Sequence, residues 1–157
     1  MRQKKLNDGT ELVSPLIYCG KSYPDYWIDI KLGDIWSTKG KYFKRLLPRV
    51  AGGCKYPRLA IQDAESIPYG RKDVMVHKAA AETLLSIPKP VEIPQNIWDQ
   101  THILVKKLVS SNMQVNHIDH DPNNYNPSNL EFVTGKENVE KYQEHRWELK
   151  KEIVLHE

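Results

Sequence analysis

Residues 114–134 read QVNHIDHDPNNYNPSNLEFVT and combine two histidines, three acidic residues and five asparagines within 21 positions. The short apolar stretches MQV and LEFV on either side of the polar centre have the composition of strands. Thr134, followed three residues later by Glu137, is the capping-box signature of a helix start. This part of the chain therefore predicts two antiparallel strands, a polar loop between them and a helix after the second strand.

That arrangement brings distant polar residues together. Asn116 and His117 leave the first strand, and Asn138 lies one turn inside the helix, 22 residues after Asn116. Two antiparallel strands followed by a helix place the end of the first strand against the first helical turn. We therefore expect Asn116, His117 and Asn138 to converge.

The polar loop has the ligand spacing of a calcium-binding EF-hand at only three positions. Asp119, Asp121 and Asn123 occupy loop positions 1, 3 and 5. Asn124 stands where the sharp turn needs glycine, and Leu130 stands where the bidentate glutamate belongs. The sequence argues against an EF-hand.

Two other interpretations of the loop stay open on the residues alone. His117 and His120 are compatible with a zinc site, although no cysteine or third histidine accompanies them. Alternatively, the loop is an asparagine-rich turn whose side chains bind their own backbone.

The rest of the chain predicts an α+β fold. The stretches DYWIDIKLGDIWST and YPRLAIQD favour strands of a small N-terminal antiparallel sheet, with a turn at Leu32-Gly33-Asp34. We expect residues 1–75 to form a β-rich module. Residues 76–157 are expected to hold helices and the functional core, which spans 113–142.

Three helices are predicted after the sheet. VMVHKAAAETLL ends a strand and begins the first helix, which Pro88 and Pro90 close. The stretch QNIWDQTHILVKKLVSS predicts one amphipathic helix of about four turns over 96–111. In the last helix, Glu137 and Lys141 form a favourable i to i+4 pair.

The charge of the chain is unevenly distributed. The net charge is only +3, but no acidic residue occurs from Ile35 to Gln62. Such a stretch suits contact with phosphates, and a solvated basic face is the alternative. Its seven basic residues are Lys39, Lys41, Lys44, Arg45, Arg49, Lys55 and Arg58.

Composition excludes several classes. At 157 residues the chain suits one domain, and it has neither a membrane-spanning apolar run nor a secretory signal at its polar N-terminus. Cys19 and Cys54 are too few and too isolated for a structural zinc framework. We expect a soluble cytoplasmic protein without a disulfide.

The segment VNHIDHDPNNYNPSNLEFVTGKEN resembles the core of the HNH endonucleases, in particular their phage and intron homing branch. The resemblance lies in the Asn116-His117 pair, Asn123-Asn124, the triplet Asn129-Leu130-Glu131, Val133-Thr134 and Glu137-Asn138. More loosely, VMVHKAAAETLL, LGDIWST and GGCKYPRLAIQ are similar to the upstream parts of that branch. The resemblance implies a ββα-metal core and divalent-metal-dependent hydrolysis of DNA, with the module of residues 1–75 contacting the DNA. A phage-encoded member would act in the cytoplasm of its host.

Residue roles follow from the resemblance. It implies Asn116 and Asn138 as ligands of one divalent cation, His117 as the general base and Asn129 as the residue that orients it. Hard amide oxygens suit Mg²⁺ or Mn²⁺ better than zinc. A neutral imidazole takes a proton from water near neutral pH.

Departures from the family pattern modify these expectations. Neutral Asn116 stands where other members carry Asp, so we expect weaker metal binding, helped through water by Asp119 or Asp121. His120 replaces the usual glycine. His77 is expected to be a buried support.

We expect three further histidines, His102, His145 and His156, to lie on helix surfaces.

One active site per chain implies nicking by a monomer or weak dimer. Only 19 residues follow Asn138, so no helical DNA-reading module is expected after the core. Discrimination between targets would then come from the sheet or the 96–111 helix. The alternative function is a non-catalytic DNA-binding protein on a degenerate HNH scaffold.

Overall fold

The computed structural model describes residues 1–50, 52–66, 70–90 and 93–155, and these form a mixture of antiparallel strands and helices. The predicted α+β class is confirmed. The strands of the N-terminal part are β1 (Arg2–Lys5), β2 (Glu11–Ser14), β3 (Leu16–Tyr18), β4 (Lys21–Tyr23), β5 (Tyr26–Asp29), β6 (Ile35–Ser37), β7 (Lys44–Arg45), β8 (Arg58–Gln62) and β9 (Arg71–Met75). The remaining elements are α1 (Val76–Leu84), α2 (Gln95–Gln100), α3 (Ile103–Ser111), β10 (Gln114–His117), a 3₁₀ turn (Pro127–Asn129), β11 (Leu130–Val133) and α4 (Gly135–Leu155).

The N-terminal sheet is built from hairpins. Five antiparallel strands follow one another in the order β1-β2-β5-β6-β7, and β3-β4, β8-β9 and β10-β11 form two-stranded sheets. The two strands predicted in DYWIDIKLGDIWST are β5 and β6, with Trp27 opposite Trp36. The strand predicted in YPRLAIQD is β8. These predictions are confirmed.

One hydrophobic cluster joins the sheet to the later elements. It contains Val13 and Ile28 of the sheet, the alanines 79–81 of α1 and Leu130 of β11. The three alanines are fully buried, and their small side chains let α1 lie close to the strands it covers. Elements on both sides of the predicted boundary at residue 75 therefore share one core. The division of the chain into residues 1–75 and 76–157 stays a prediction.

The single helix predicted over 96–111 is wrong. The chain forms α2 and α3 instead, because Thr101 adopts an extended conformation with φ −67° and ψ 131°. His102 caps α3, since its Nδ1 accepts a hydrogen bond from Leu104 N at 3.2 Å. The apolar spacing of residues 96–111 continues through the break at Thr101, so hydrophobic periodicity alone does not reveal the break. Ile97 and Leu104, whose spacing would place them on one face of a single helix, are both exposed.

The start of α4 is as predicted. Thr134 N donates to Glu137 Oε2 at 2.7 Å, and Glu137 N donates to Thr134 Oγ1 at 3.2 Å, which completes the capping box. The predicted Glu137–Lys141 ion pair is not formed. Lys141 Nζ instead lies 2.6 Å from Glu131 Oε1 on the neighbouring strand.

The loop between β10 and β11 is fastened to the N-terminal sheet. Tyr125 Oη donates to Asp34 Oδ1 at 3.1 Å, and Arg45 lies 2.7 Å from the other oxygen of that buried carboxylate. Gly33 has φ +72°, and a Cβ there would lie 2.5 Å from the Tyr125 carbonyl oxygen. Only glycine fits this approach, so the β5–β6 turn sets the position of the loop.

Cys19 and Cys54 are both free thiols. None of the helices in the described residues is long and apolar enough to cross a membrane.

Candidate active site

The β10–β11 hairpin separates the predicted site residues onto two faces. Asn116 pairs with Glu131, and His117 pairs with Leu130. Because side chains alternate along a strand, Asn116 points to one face of the hairpin and His117 to the other. Helix α4 contacts both strands of this hairpin, and so does α1.

On the α4 face, hydrogen bonds bring Asn138 towards Asn116. Asn138 Nδ2 donates to Gln114 Oε1 at 2.6 Å, and Asn116 Nδ2 donates to Glu131 Oε1 at 2.9 Å. Gln114 and Asn116 are two residues apart on one strand, a spacing of about 7 Å. The first turn of α4 therefore lies against the strand that carries Asn116.

The side chains of Asn116 and Asn138 both offer an amide oxygen as a ligand atom. In the described part of the chain, the hydrogen bonds of the Asn116 and Asn138 side chains run through their nitrogens. Their Oδ1 atoms are therefore the groups left to bind a ligand. Amide oxygens are hard donors of the kind that Mg²⁺ and Mn²⁺ prefer, so this pair fits an oxygen-seeking divalent cation.

Glu131 adds a shielded negative charge to this face. Its Oε1 accepts hydrogen bonds from both Asn116 Nδ2 and Lys141 Nζ. Burial alone would raise the pKa of Glu131, but the bonds from Lys141 and Asn116 lower it below its ordinary value. The carboxylate thus stays ionised and binds the nitrogen end of the Asn116 amide, which leaves the oxygen end for a ligand.

On the α1 face, His117 lies in an aromatic stack. It is only 5% exposed. Its ring centroid lies 5.8 Å from that of Tyr56, with an interplanar angle of 14°, and 4.9 Å from that of His77. His77 follows the first residue of α1 and is 6% exposed, which agrees with the expectation of a buried residue.

Both imidazoles in the stack are neutral near pH 7. Burial lowers the pKa of His117, and the carboxylates of Asp119 and Asp121 oppose this shift only in part. For His77, burial together with His117 and Lys78 lowers the pKa to about 4. A neutral His117 is able to accept a proton.

Residues 107–140, which include this hairpin and the first turns of α4, match the family model described as HNH endonuclease. This segment of the chain is therefore similar to the HNH endonuclease family. The fold is similar to that in a solved structure of DNA binding and cleavage by the HNH homing endonuclease I-HmuI, with a TM-score of 0.54 and 18% sequence identity. That match covers 92% of this chain and 59% of the other. Comparison with curated proteins gives no match.

Within the HNH core, Asn129 holds the loop rather than the imidazole. Its Oδ1 accepts from Asp119 N at 3.1 Å, and its Nδ2 donates to Asp119 Oδ1 and to the Asn124 carbonyl oxygen, both at 2.8 Å. Its own carbonyl oxygen accepts from Ile118 N at 2.9 Å. Asn129 therefore orients the segment that follows His117, and its side chain makes no described bond to that ring.

The acidic residues of the loop between β10 and β11 accept hydrogen bonds from backbone groups of the same loop. Asp119 Oδ1 accepts from Asp121 N at 2.9 Å, and Asp121 Oδ1 accepts from Asn123 N at 2.9 Å. This is the behaviour of an asparagine-rich and aspartate-rich turn. Among the described residues there is no group of three or more His, Cys, Asp or Glu side chains placed to hold a metal ion.

The histidine that replaces the family's glycine takes the glycine's conformation. His120 has φ +62°, and its ring stacks on that of His145 at 3.9 Å with an interplanar angle of 12°. His145 is therefore half-buried by this contact rather than freely solvated, as the sequence suggested. His156 lies outside the described residues.

Three residues of the basic stretch form ion pairs with acidic residues from other parts of the chain. Arg45 pairs with Asp34 at 2.7 Å, Arg58 with Asp73 at 3.2 Å and Lys39 with Asp25 at 3.7 Å. The remaining four residues are exposed and have no ion pair within the described ranges: Lys41, Lys44, Arg49 and Lys55.

Tyr56 connects this basic stretch to the HNH core. Lys55 Nζ lies 5.1 Å from the centroid of the Tyr56 ring, and Tyr56 stacks on His117. The basic stretch therefore ends beside the imidazole.

Sequence reasoning missed the residues that position the site. Gln114 and Glu131 hold the two amides, and both follow from the hairpin register once His117 is paired with Leu130. The sequence pattern paired Lys141 with Glu137, whereas the structure pairs it with Glu131. No local signal in the sequence indicates that Tyr56 and His77 reach His117, because that contact is tertiary.

Proposed function

We propose that this HNH protein is a divalent-metal-dependent DNA endonuclease. The observation that carries the proposal is the pair of amide oxygens without a described hydrogen bond, Asn116 Oδ1 and Asn138 Oδ1, on the α4 face of the hairpin whose other face carries the neutral His117. Asn116 and His117 are consecutive at the end of β10, so a phosphate at the outer edge of this strand would be within reach of both faces of the hairpin. β10 pairs only with β11 among the described strands, which leaves that edge accessible.

Hydrolysis of a phosphodiester needs an activated water, relief of charge on the phosphate and stabilisation of the leaving oxygen. His117 would take the proton of the attacking water as general base. Asn116 and Asn138 would hold one Mg²⁺ or Mn²⁺ ion through their oxygens. When bound, that ion would supply the charge relief at the phosphate and at the leaving oxygen.

The positions of these groups depend on hydrogen bonds that the structure contains. Glu131 and Gln114 bind the amide nitrogens, which leaves the two oxygens free for a ligand. Asn129 fixes the loop that follows His117. Such supporting contacts typically affect activity by 10–100-fold.

The exposed basic residues would hold the DNA backbone. Lys41, Lys44, Arg49 and Lys55 have no ion pair in the described part of the chain and are available for phosphate contacts. Lys39, Arg45 and Arg58 would contribute less, since each already faces an acidic residue.

One site per chain predicts nicking of one strand by a monomer, with double-strand cuts needing two molecules. The similarity in fold to a homing endonuclease supports a homing-type enzyme, acting in the cytoplasm or, if phage-encoded, in that of its host.

A non-catalytic DNA-binding protein is the second candidate, favoured by the neutral Asn116 at a position where other members carry an acidic ligand. The test is incubation of supercoiled plasmid with the wild-type protein and with His117→Ala, in Mg²⁺ and in EDTA. Nicking that requires Mg²⁺ and disappears in His117→Ala supports the enzyme. A gel shift without cleavage by the wild-type protein supports the binder.

A further inference from the structure

His77 and His117 each leave one ring nitrogen without a hydrogen bond. Among the described residues, His77 Nδ1 and His117 Nε2 are buried and have no partner. A buried polar nitrogen without a partner is unfavourable, and the two rings are neighbours with centroids 4.9 Å apart. The two nitrogens do not bond to each other in the structure, so one water molecule between the rings would satisfy both.

The chemistry of neutral imidazole restricts how they can be satisfied. A neutral ring has one nitrogen that donates and one that accepts. His77 is neutral because burial lowers its pKa to about 4, so it has a lone pair to offer. His117 Nδ1, in contrast, is not among the buried unpartnered atoms, and it is the nitrogen that remains to face a reacting water.

We propose that His77 is a positioning residue for His117, with one bridging water that accepts the Nε2 proton of His117 and donates to Nδ1 of His77. This contact would hold His117 in the tautomer that carries its proton on Nε2. The lone pair of Nδ1 is then free to act as the base. The inference rests on the proposed function, because it assigns a tautomer to the general base of that site.

Tyr56 supports the same geometry from the other side. Its ring lies 4.7 Å from that of His77 and 5.8 Å from that of His117. Stacking on both rings restricts their rotation, so the tautomer of His117 depends on the hydrogen bond and not on a change of ring orientation.

Three substitutions at one position separate the hydrogen bond from packing. His77→Phe keeps an aromatic ring and removes the acceptor. His77→Asn keeps a polar oxygen near the place of Nδ1, whereas His77→Gln carries its polar group further out, near the place of Nε2. The proposal predicts that kcat for DNA nicking falls about 10–100-fold in the Phe and Gln variants and recovers in the Asn variant, with KM unchanged throughout.

A spectroscopic readout keeps the inference testable apart from activity. Long-range ¹H–¹⁵N correlation of the His117 ring, recorded where the ring is neutral, shows which nitrogen carries the proton. We expect Nε2–H in the wild-type protein and in His77→Asn, and a shift towards Nδ1–H in His77→Phe.

Unchanged tautomer and unchanged kcat in a folded His77→Phe variant would overturn the role of His77 while leaving the nuclease intact. If the wild-type protein cuts no DNA, the tautomer measurement still decides the contact between the two rings.

Discussion

Lys141 and Asn116 donate to the same oxygen, Oε1 of Glu131, at 2.6 and 2.9 Å. This shared acceptor joins the second turn of α4 to the middle of the hairpin and leaves the oxygen of Asn116 without a described hydrogen bond. The charge of Glu131 is balanced by Lys141, so the face that would receive a cation and a phosphate is not dominated by a free carboxylate. The predictions below concern this face, the basic stretch and the contacts that hold them in place.

Removing the carboxylate of Glu131 should impair metal use more than folding. In Glu131→Gln, the amide of Gln still accepts from Asn116, whereas Glu131→Ala frees that side chain to turn. We expect the Mg²⁺ concentration for half-maximal nicking to rise about tenfold in the Ala variant and much less in the Gln variant. Equal Mg²⁺ requirements in the two variants would show that the Glu131 contact does not orient Asn116.

Two exposed lysines of the basic stretch should control DNA affinity. We expect Lys41→Ala combined with Lys44→Ala to weaken binding and to reduce the slope of log K against log salt by about 0.9 for each lost phosphate contact. The matched control is Lys150→Ala with Lys151→Ala, which removes two exposed cations from the far end of α4. Equal effects of the two pairs on binding would mean that the basic stretch is not the DNA-binding surface.

The β5–β6 turn should tolerate no side chain at Gly33. Alanine in the left-handed conformation costs about 1–2 kcal/mol at either Gly33 or Gly9, but only at Gly33 would the added Cβ meet a backbone oxygen, that of Tyr125 at 2.5 Å. Denaturant unfolding should therefore show a larger loss for Gly33→Ala than for Gly9→Ala. Similar losses would mean that the loop does not depend on this close approach.

At position 120 the backbone conformation should favour glycine. His120→Gly and His120→Ala both lose the stack on His145, but only alanine keeps the strain of φ +62°. We expect the Gly variant to be more stable than the Ala variant by about 1–2 kcal/mol, measured by denaturant unfolding. An Ala variant as stable as the Gly variant would show that residue 120 does not have a positive φ.

Asp63 should make the free energy of unfolding depend on pH under acidic conditions. Lys21, Ser66, Glu65 N and Tyr23 contact its carboxylate, and the pKa of Asp63 is lowered to about 2, chiefly by the bond from Lys21. A lowered folded-state pKa stabilises the protein above the unfolded pKa of about 3.9, and this contribution disappears as pH falls towards 2. The free energy of unfolding of Asp63→Asn should thus lie below that of the wild-type protein at neutral pH, with the difference shrinking between about pH 4 and pH 2.

Sequence reasoning succeeded where the signal is local. Strand, loop, strand and capped helix follow one another between residues 114 and 138, and each has its own composition or cap. It failed at Thr101, because the apolar spacing of α2 continues into α3 although the backbone does not. The ion pairs of Arg45 and Arg58 were not foreseen, because their acidic partners come from strands or turns elsewhere in the chain, and the DNA contacts expected of these two residues stay a prediction. The contact of His77 with His117 depends on how α1 lies against the hairpin, which no local pattern encodes.

The most direct test of the central claim is the Mg²⁺ dependence of plasmid nicking by the wild-type protein, Asn138→Ala and His117→Ala. We expect nicking to stop in EDTA, the Mg²⁺ concentration for half-maximal rate to rise about tenfold or more in Asn138→Ala, and the rate to fall at least 100-fold in His117→Ala. Nicking that persists in EDTA, or an Asn138→Ala variant with the wild-type Mg²⁺ requirement, would contradict the account.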